Sequence, residues 1–111
     1  MNMQLLKQYA LNFRKTTTGL CYDANGSFLG TYISMFDSLS DVEDLLNDIE
    51  LALSGNISQV EDAFYVIDLA GDAAIGEITP TEFILDGAPD TIIPLIDMKE
   101  ILLSWKEFLM S

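Results

Sequence analysis

Histidine is absent from this chain, cysteine occurs once, and no lysine or arginine lies between Thr16 and Met98. Without histidine, neither a Ser-His-Asp nor a Cys-His device can be assembled from these residues, and zinc lacks its usual Cys and His ligand clusters. The single cysteine, Cys21, excludes an internal disulfide and fits a reducing compartment. With no Lys or Arg close in sequence to activate its thiol, it reads as a small hydrophobe in a strand. No Gly-rich stretch matches a dinucleotide or Walker loop, and no apolar run approaches the roughly 18 residues of a membrane span. Direct binding to nucleic acid and to anionic membrane surfaces is disfavoured, because both need a basic footprint. Lys7, Gln8 and Asn12 would interrupt the apolar core of a signal peptide, and no small-residue cleavage site follows, so a cytoplasmic protein is expected. The triplet Asn56-Ile57-Ser58 matches a glycosylation acceptor by pattern alone and carries no weight without a secretory signal.

What the chain does have is negative charge. Its 111 residues, half of them apolar, suit one domain over 1–111 with a real core. Eighteen acids face five bases, Lys7, Arg14, Lys15, Lys99 and Lys106, for a formal charge of −13. Sixteen of the carboxylates fall between Thr16 and Met98. Such an excess destabilises a compact chain by self-repulsion, whereas an ordinary solvated surface mixes both signs. A gain in solubility or in binding a cationic partner is the expected reason for keeping it.

Along the chain, Leu6, Tyr9, Ala10 and Phe13 at helical spacing suggest a first helix within Met3 to Phe13, in competition with an extended start through Leu11 to Lys15. Thr16 to Gly19 breaks whatever precedes it. Asn25-Gly26 between Leu20-Cys21-Tyr22 and Phe28-Leu29, followed by Thr31-Tyr32-Ile33, predicts a β-hairpin with a type I′ turn. Asp23 does not make a calcium loop, because the other oxygen ligands and the bidentate glutamate are missing. The segment 40–54 predicts a helix, capped by Ser40 with Glu43 reaching back to its amide and closed by Gly55. Val42, Leu45, Leu46, Ile49 and Leu53 form its core stripe. A polar connector, Asn56 to Asp62, leads to AFYVIDLA, which is apolar on both alternating sets and so reads as a central strand. Ala70-Gly71-Asp72 turns the chain into Ala73 to Leu85, where Pro80 predicts an interrupted, bulged or edge strand. Asp86-Gly87 marks another turn before a short strand, Thr91-Ile92-Ile93, bounded by Pro94. A last helix is expected over 98–110, capped by Asp97 with Glu100 in reply, an Ile96–Ile101 staple, and a stripe of Met98, Ile101, Leu102, Trp105, Phe108 and Leu109. The fold class is α+β: an antiparallel sheet of about four to five strands, the helices 40–54 and 98–110 packed on it, and an optional N-terminal helix.

Carboxylate pairs such as Glu77 with Glu82 or Asp41 with Asp44 can be written as glycosidase dyads, but with so many acids they arise by chance. No catalytic residue, cofactor or metal is assigned. Stepping about 100° per residue from Val42, the far side of the 40–54 helix carries Asp41, Asp44, Asn47, Asp48 and Leu51, an exposed leucine framed by carboxylates. These residues, with Glu61, Asp62 and Asp72 beside the sheet, are the candidates for contact with a basic partner. The loops Asn56 to Asp62 and Asp86 to Asp90 come next.

The tail IPLIDMKEILLSWKEFL, an extended Ile92-Ile93-Pro94-Leu95 entering a helix with Trp105, Lys106, Phe108 and Leu109, resembles the bacterial immunity proteins of contact-dependent growth inhibition and related polymorphic toxin systems. The resemblance covers under a fifth of the chain and carries over no binding residue. It implies a non-enzymatic cytoplasmic inhibitor, a monomer that forms a 1:1 heterodimer with the basic toxin domain of a secreted effector, in many cases a nuclease such as an RNase. A mimic of nucleic acid or adaptor that occupies another basic protein, and a structural domain whose acids serve solubility, share the same acidic surface.

Overall fold

The computed structural model describes residues 2–15, 22–25, 28–60, 63–69, 72–86 and 90–110, with 14–15, 22–25, 68–69 and 72 through their backbone alone. Helix α1 (Met3–Gln8) is followed by strands β1 (Asn12–Lys15) and β2 (Tyr22–Asn25) and by helices α2 (Phe28–Ser34) and α3 (Leu39–Leu53). After a single 3₁₀ turn, Ile57–Gln59, come strands β3 (Phe64–Leu69), β4 (Asp72–Ile78), β5 (Glu82–Leu85) and β6 (Thr91–Pro94), then helix α4 (Leu95–Met110). The architecture is α+β. One antiparallel sheet runs β3-β4-β5-β6, and a separate two-stranded hairpin pairs β1 with β2.

Sequence and structure part company at Asn25-Gly26. Tyr22–Asn25 pairs with Asn12–Lys15 rather than with the residues that follow, and Phe28–Ser34 is helical. Leu29, Tyr32, Ile33 and Phe36 are all buried. Their spacing of three, four and seven residues is a helical stripe, and burying it outweighs the β-propensity of the individual residues. Both readings of the N-terminus hold in part, since a six-residue helix ends before an extended Asn12–Lys15. Cys21, Gly26 and the break at Thr16 to Gly19 lie outside the described residues, as do the turn residues Ala70, Gly71 and Gly87.

Helix α3 starts one residue before the expected boundary. Ser38, not Ser40, is its cap and accepts from the Asp41 amide at 3.2 Å. Its end is a Schellman motif: the Asn56 amide bonds Leu51 O at 2.8 Å and the Gly55 amide bonds Ala52 O at 3.1 Å. Gly55 sits at φ +84°, where a side chain would be strained. Val42, Leu45, Leu46 and Ile49 are buried as expected, but Ala52 completes the stripe and Leu53 is 39% exposed, because the last turn runs past the edge of the core. Helix α4 begins at Leu95, directly off β6, and the Leu95 amide bonds Thr81 O across the sheet at 3.1 Å. Asp97 therefore stands in the first turn instead of capping, and Ile96 is 54% exposed rather than stapled on Ile101.

The four-stranded sheet buries one face. Ala74, Ile78, Phe83, Leu85 and Ile93 point into a core closed by α2, α3 and α4. Pro80 breaks Ala73 to Leu85 into two paired strands, with the Thr79 hydroxyl accepting from the Glu82 amide at 2.9 Å across the turn. The strand expected to be central, Phe64–Leu69, is the edge of the sheet, and Phe64 and Val66 point away from the helices. Its two apolar faces mark two different surroundings, core on one side and open surface on the other.

Trp105 ties the outlying pieces to this core. It is fully buried, its indole N–H donates to the Phe36 carbonyl at 2.7 Å, and its ring meets Phe13 of β1 edge-on at 4.9 Å. Helix α1 leans on α4 through the Asn2 amide to Ser104 Oγ, 3.2 Å, and the Tyr9 hydroxyl to Asp97, 2.7 Å. Burial first, then the hydrogen bond to Asp97 and its charge, push the Tyr9 phenol up to about 12. Burial alone pushes Tyr32 up further.

Two predictions follow from these contacts. The folded chain holds the Tyr9 proton more tightly than the unfolded chain, so its share of stability is complete below pH 10.0 and declines as pH rises towards 12. Tyr9→Phe should flatten the fall of the urea midpoint across that window. At Gly76 an added Cβ would meet the Tyr32 hydroxyl at 2.6 Å and Phe83 Cε1 at 2.9 Å, and would press on Phe83 Cζ. Gly76→Ala should therefore destabilise by about 1 to 3 kcal/mol in equilibrium urea unfolding.

Candidate acidic interaction site

Helix α3 turns its carboxylates to two sides. Glu43 and Glu50 face α4, where Lys106 and Lys99 meet them at 3.3 and 3.6 Å. Each pair is seven residues from the next on both helices, the repeat of two antiparallel helices held side by side. Exposed pairs of this kind contribute little to stability, at most about 1 kcal/mol each. Their local effect is to neutralise this flank. Glu43, expected to reach back to Ser40, is thus occupied by Lys106.

Asp41, Asp44 and Asp48 lie on the other side, towards β3. Tyr65 projects from that strand and donates its hydroxyl to the Asp48 carboxylate, with the Asp44 carbonyl 3.2 Å away as a second acceptor. The Tyr65 carbonyl accepts in turn from the buried Tyr32 hydroxyl at 2.7 Å. A buried hydroxyl, a strand and the helix are therefore linked in one chain of hydrogen bonds, which sets the distance between α3 and the edge of the sheet. A cleft of about 230 Å³ opens beside it, lined by Met35, Phe36, Asp41, Asp44, Tyr65 and Ile67. Asp41 and Asp44 are exposed and have no cationic partner among the described residues.

The remaining candidates scatter. Asn47 and Leu51 occupy the crown of α3 between its two acidic flanks, Asn47 exposed and Leu51 half-buried rather than fully displayed. Asp72 opens β4 and is described through its backbone alone, and Glu61 and Asp62 lie outside the described residues. Among the described residues no group of three Asp, Glu, His or Cys side chains converges to hold a metal ion. The carboxylates are spaced along an edge, an arrangement suited to an extended cationic surface. The apolar members of the cleft, Met35, Phe36, Tyr65 and Ile67, escape a helical wheel drawn on α3 alone, because they come from the connection before it and from the strand beside it. The signal available for Tyr65 and Ile67 was their shared alternation in AFYVIDLA.

No helix among the described residues is long and apolar enough to cross a membrane. No protein-family model, curated protein or solved structure matches this chain.

Tyr65→Phe removes the donor to Asp48 and should lower stability by about 1 kcal/mol. It should also loosen α3 from β3, read as faster amide exchange around Asp44 to Asp48 with the rest of the helix unchanged.

Proposed function

We propose that this chain is a non-enzymatic inhibitor that binds a basic protein domain in the cytoplasm, in the manner of the immunity proteins its C-terminal segment resembles. The observation that carries the reading is the division of charge on α3. The lysines of α4 neutralise Glu43 and Glu50, leaving Asp41 and Asp44 without a cation among the described residues, on the rim of a partly apolar cleft. A domain that handles phosphates presents the complementary surface, since its cleft must be basic.

The physics of such a pairing separates rate from affinity. A potential of one sign over an acidic edge steers a cationic partner and can raise association from about 10⁵ to 10⁶ per molar per second towards 10⁸ or more at low salt. Affinity then rests on a few desolvated contacts, for which Met35, 43% exposed beside Phe36, offers the apolar anchor. Fast capture suits an inhibitor whose partner is toxic on arrival. The toxin domain of a contact-dependent growth inhibition effector, a nuclease of RNase type, is the partner proposed, bound in a 1:1 complex.

Co-expression with the toxin domain encoded immediately upstream tests this reading, with rescue of growth as the expected result. Failure to rescue by a soluble, folded chain overturns it. Asp41→Lys with Asp44→Lys, which leaves the Tyr65–Asp48 bond in place, should slow association at least tenfold at low salt and flatten its salt dependence. Unchanged stopped-flow rates would move the steering surface away from this cleft.

A further inference from the structure

The four-stranded sheet has a second face that no described helix covers. Its register aligns Phe64, Glu77, Ile84 and Ile92 in a single row across all four strands, and sets Val66 beside Ile75 in the next row. Phe64, Val66 and Ile92 are 51, 58 and 55% exposed. Single exposed hydrophobes are ordinary, but Phe64, Val66, Ile75, Ile84 and Ile92 gather on this one face around Glu77, and grouped apolar surface of this kind marks interaction sites. A groove of about 240 Å³ cuts into this face, lined by Phe64, Ile75, Ile84, Glu77, Asp86 and Asp90.

The charges on the face decide which occupant fits it. A second copy of the chain, itself at −13, would lay Glu77 and Asp86 against a like-charged surface, and such juxtaposition costs several kcal/mol. No lysine or arginine among the described residues lies on these four strands to relieve it. The complementary occupant has the opposite rim. Arginine or lysine laid in the groove would rest its aliphatic stem on Phe64, Ile75 and Ile84 and bring its cationic head to the carboxylates. We propose that the open sheet face docks a protein surface with an apolar centre and an arginine- or lysine-bearing rim, one basic side chain filling the groove. Strand β3 joins this face to the acidic cleft, because Tyr65 and Ile67 line the cleft while Phe64 and Val66 lie on the open side. One partner gripping the β3 edge can therefore engage both. Only the identity of that partner as a toxin domain rests on the function proposed above.

Two arms test the face separately from the function. In the first, the ¹⁵N-labelled full chain is titrated with a synthetic helical peptide bearing leucine on one side and arginine on the other. Saturating shift changes are expected at Phe64, Val66, Ile75, Ile84 and Ile92. They should weaken at least tenfold in the Val66→Lys, Ile92→Lys double variant and persist in Leu103→Lys, an exposed apolar site on α4. The sheet variant should keep the wild-type unfolding midpoint, as Val66 and Ile92 are more than half exposed, and Leu103→Lys should remain folded. Shift changes confined to the Asp41–Asp44 cleft, or indifferent to the sheet substitutions, overturn the proposal. In the second arm the same variants meet the upstream toxin domain. A toxin bound equally well by the wild type and the sheet variant overturns the sheet proposal and leaves the function standing. A toxin that the wild type ignores, with the peptide still seated on the sheet, overturns the function and leaves the sheet proposal standing.

Discussion

The indole of Trp105 is the contact on which the rest of the molecule depends. Its N–H is buried and must find an acceptor, because an unsatisfied donor costs about 1 to 3 kcal/mol. The acceptor it finds is the carbonyl of Phe36, brought into the core. That requirement places the end of the α2 segment, and with it the entry to α3, over α4. The same ring gives Phe13 a surface to pack on, so the small β1–β2 hairpin is held to a helix rather than to the main sheet. One side chain thereby orders three segments that are distant in sequence.

With the helices placed, the distribution of charge follows from geometry. Helices α3 and α4 lie antiparallel, and the two lysines of α4 reach only the flank of α3 that faces them. The opposite flank meets β3, which contributes a hydroxyl and carbons but no cation. An acidic chain becomes an acidic edge in this way, with an acid-rimmed, partly apolar cleft on one side of β3 and the open sheet face on the other. Protein partners commonly combine a desolvated apolar centre with a charged rim, and the two surfaces together supply both components.

The two long helices were legible because their apolar residues recur at three and four positions over about four turns, a pattern no strand can mimic. Their starts were less legible. Ser40, with Glu43 three residues on, is the better cap on paper, yet Ser38 takes the role, and the early start of α4 depends on Thr81, a hydrogen-bond partner on the far side of β5 and β6. The Asn25-Gly26 hairpin failed for a different reason. A turn dipeptide specifies a local conformation, but the partner of Tyr22–Asn25 came from the preceding segment, and Leu29, Tyr32, Ile33 and Phe36 gained more from a helix. Half of the candidate site, Asp41, Asp44 and Asp48, followed from a helical wheel. The apolar half did not, since it depends on which strand lies beside α3. The position of β3 was misjudged because a doubly apolar strand is central only when both faces of its sheet are covered. Here the helices gather on one face of the four strands, and no described helix covers the other.

Gly76 has a consequence for how the molecule assembles. Its missing side chain makes the hollow in which the Tyr32 hydroxyl and the Phe83 ring sit. In the native register Gly76 stands between Tyr65 and Leu85. Sliding β4 by one residue would bring Ile75 or Glu77 to that hollow and turn every other side chain of the strand to the wrong face. Helix α2 could then not close over the sheet. The glycine thus favours one register: the alignment that leaves this hollow empty is the one over which Tyr32 and Phe83 can pack.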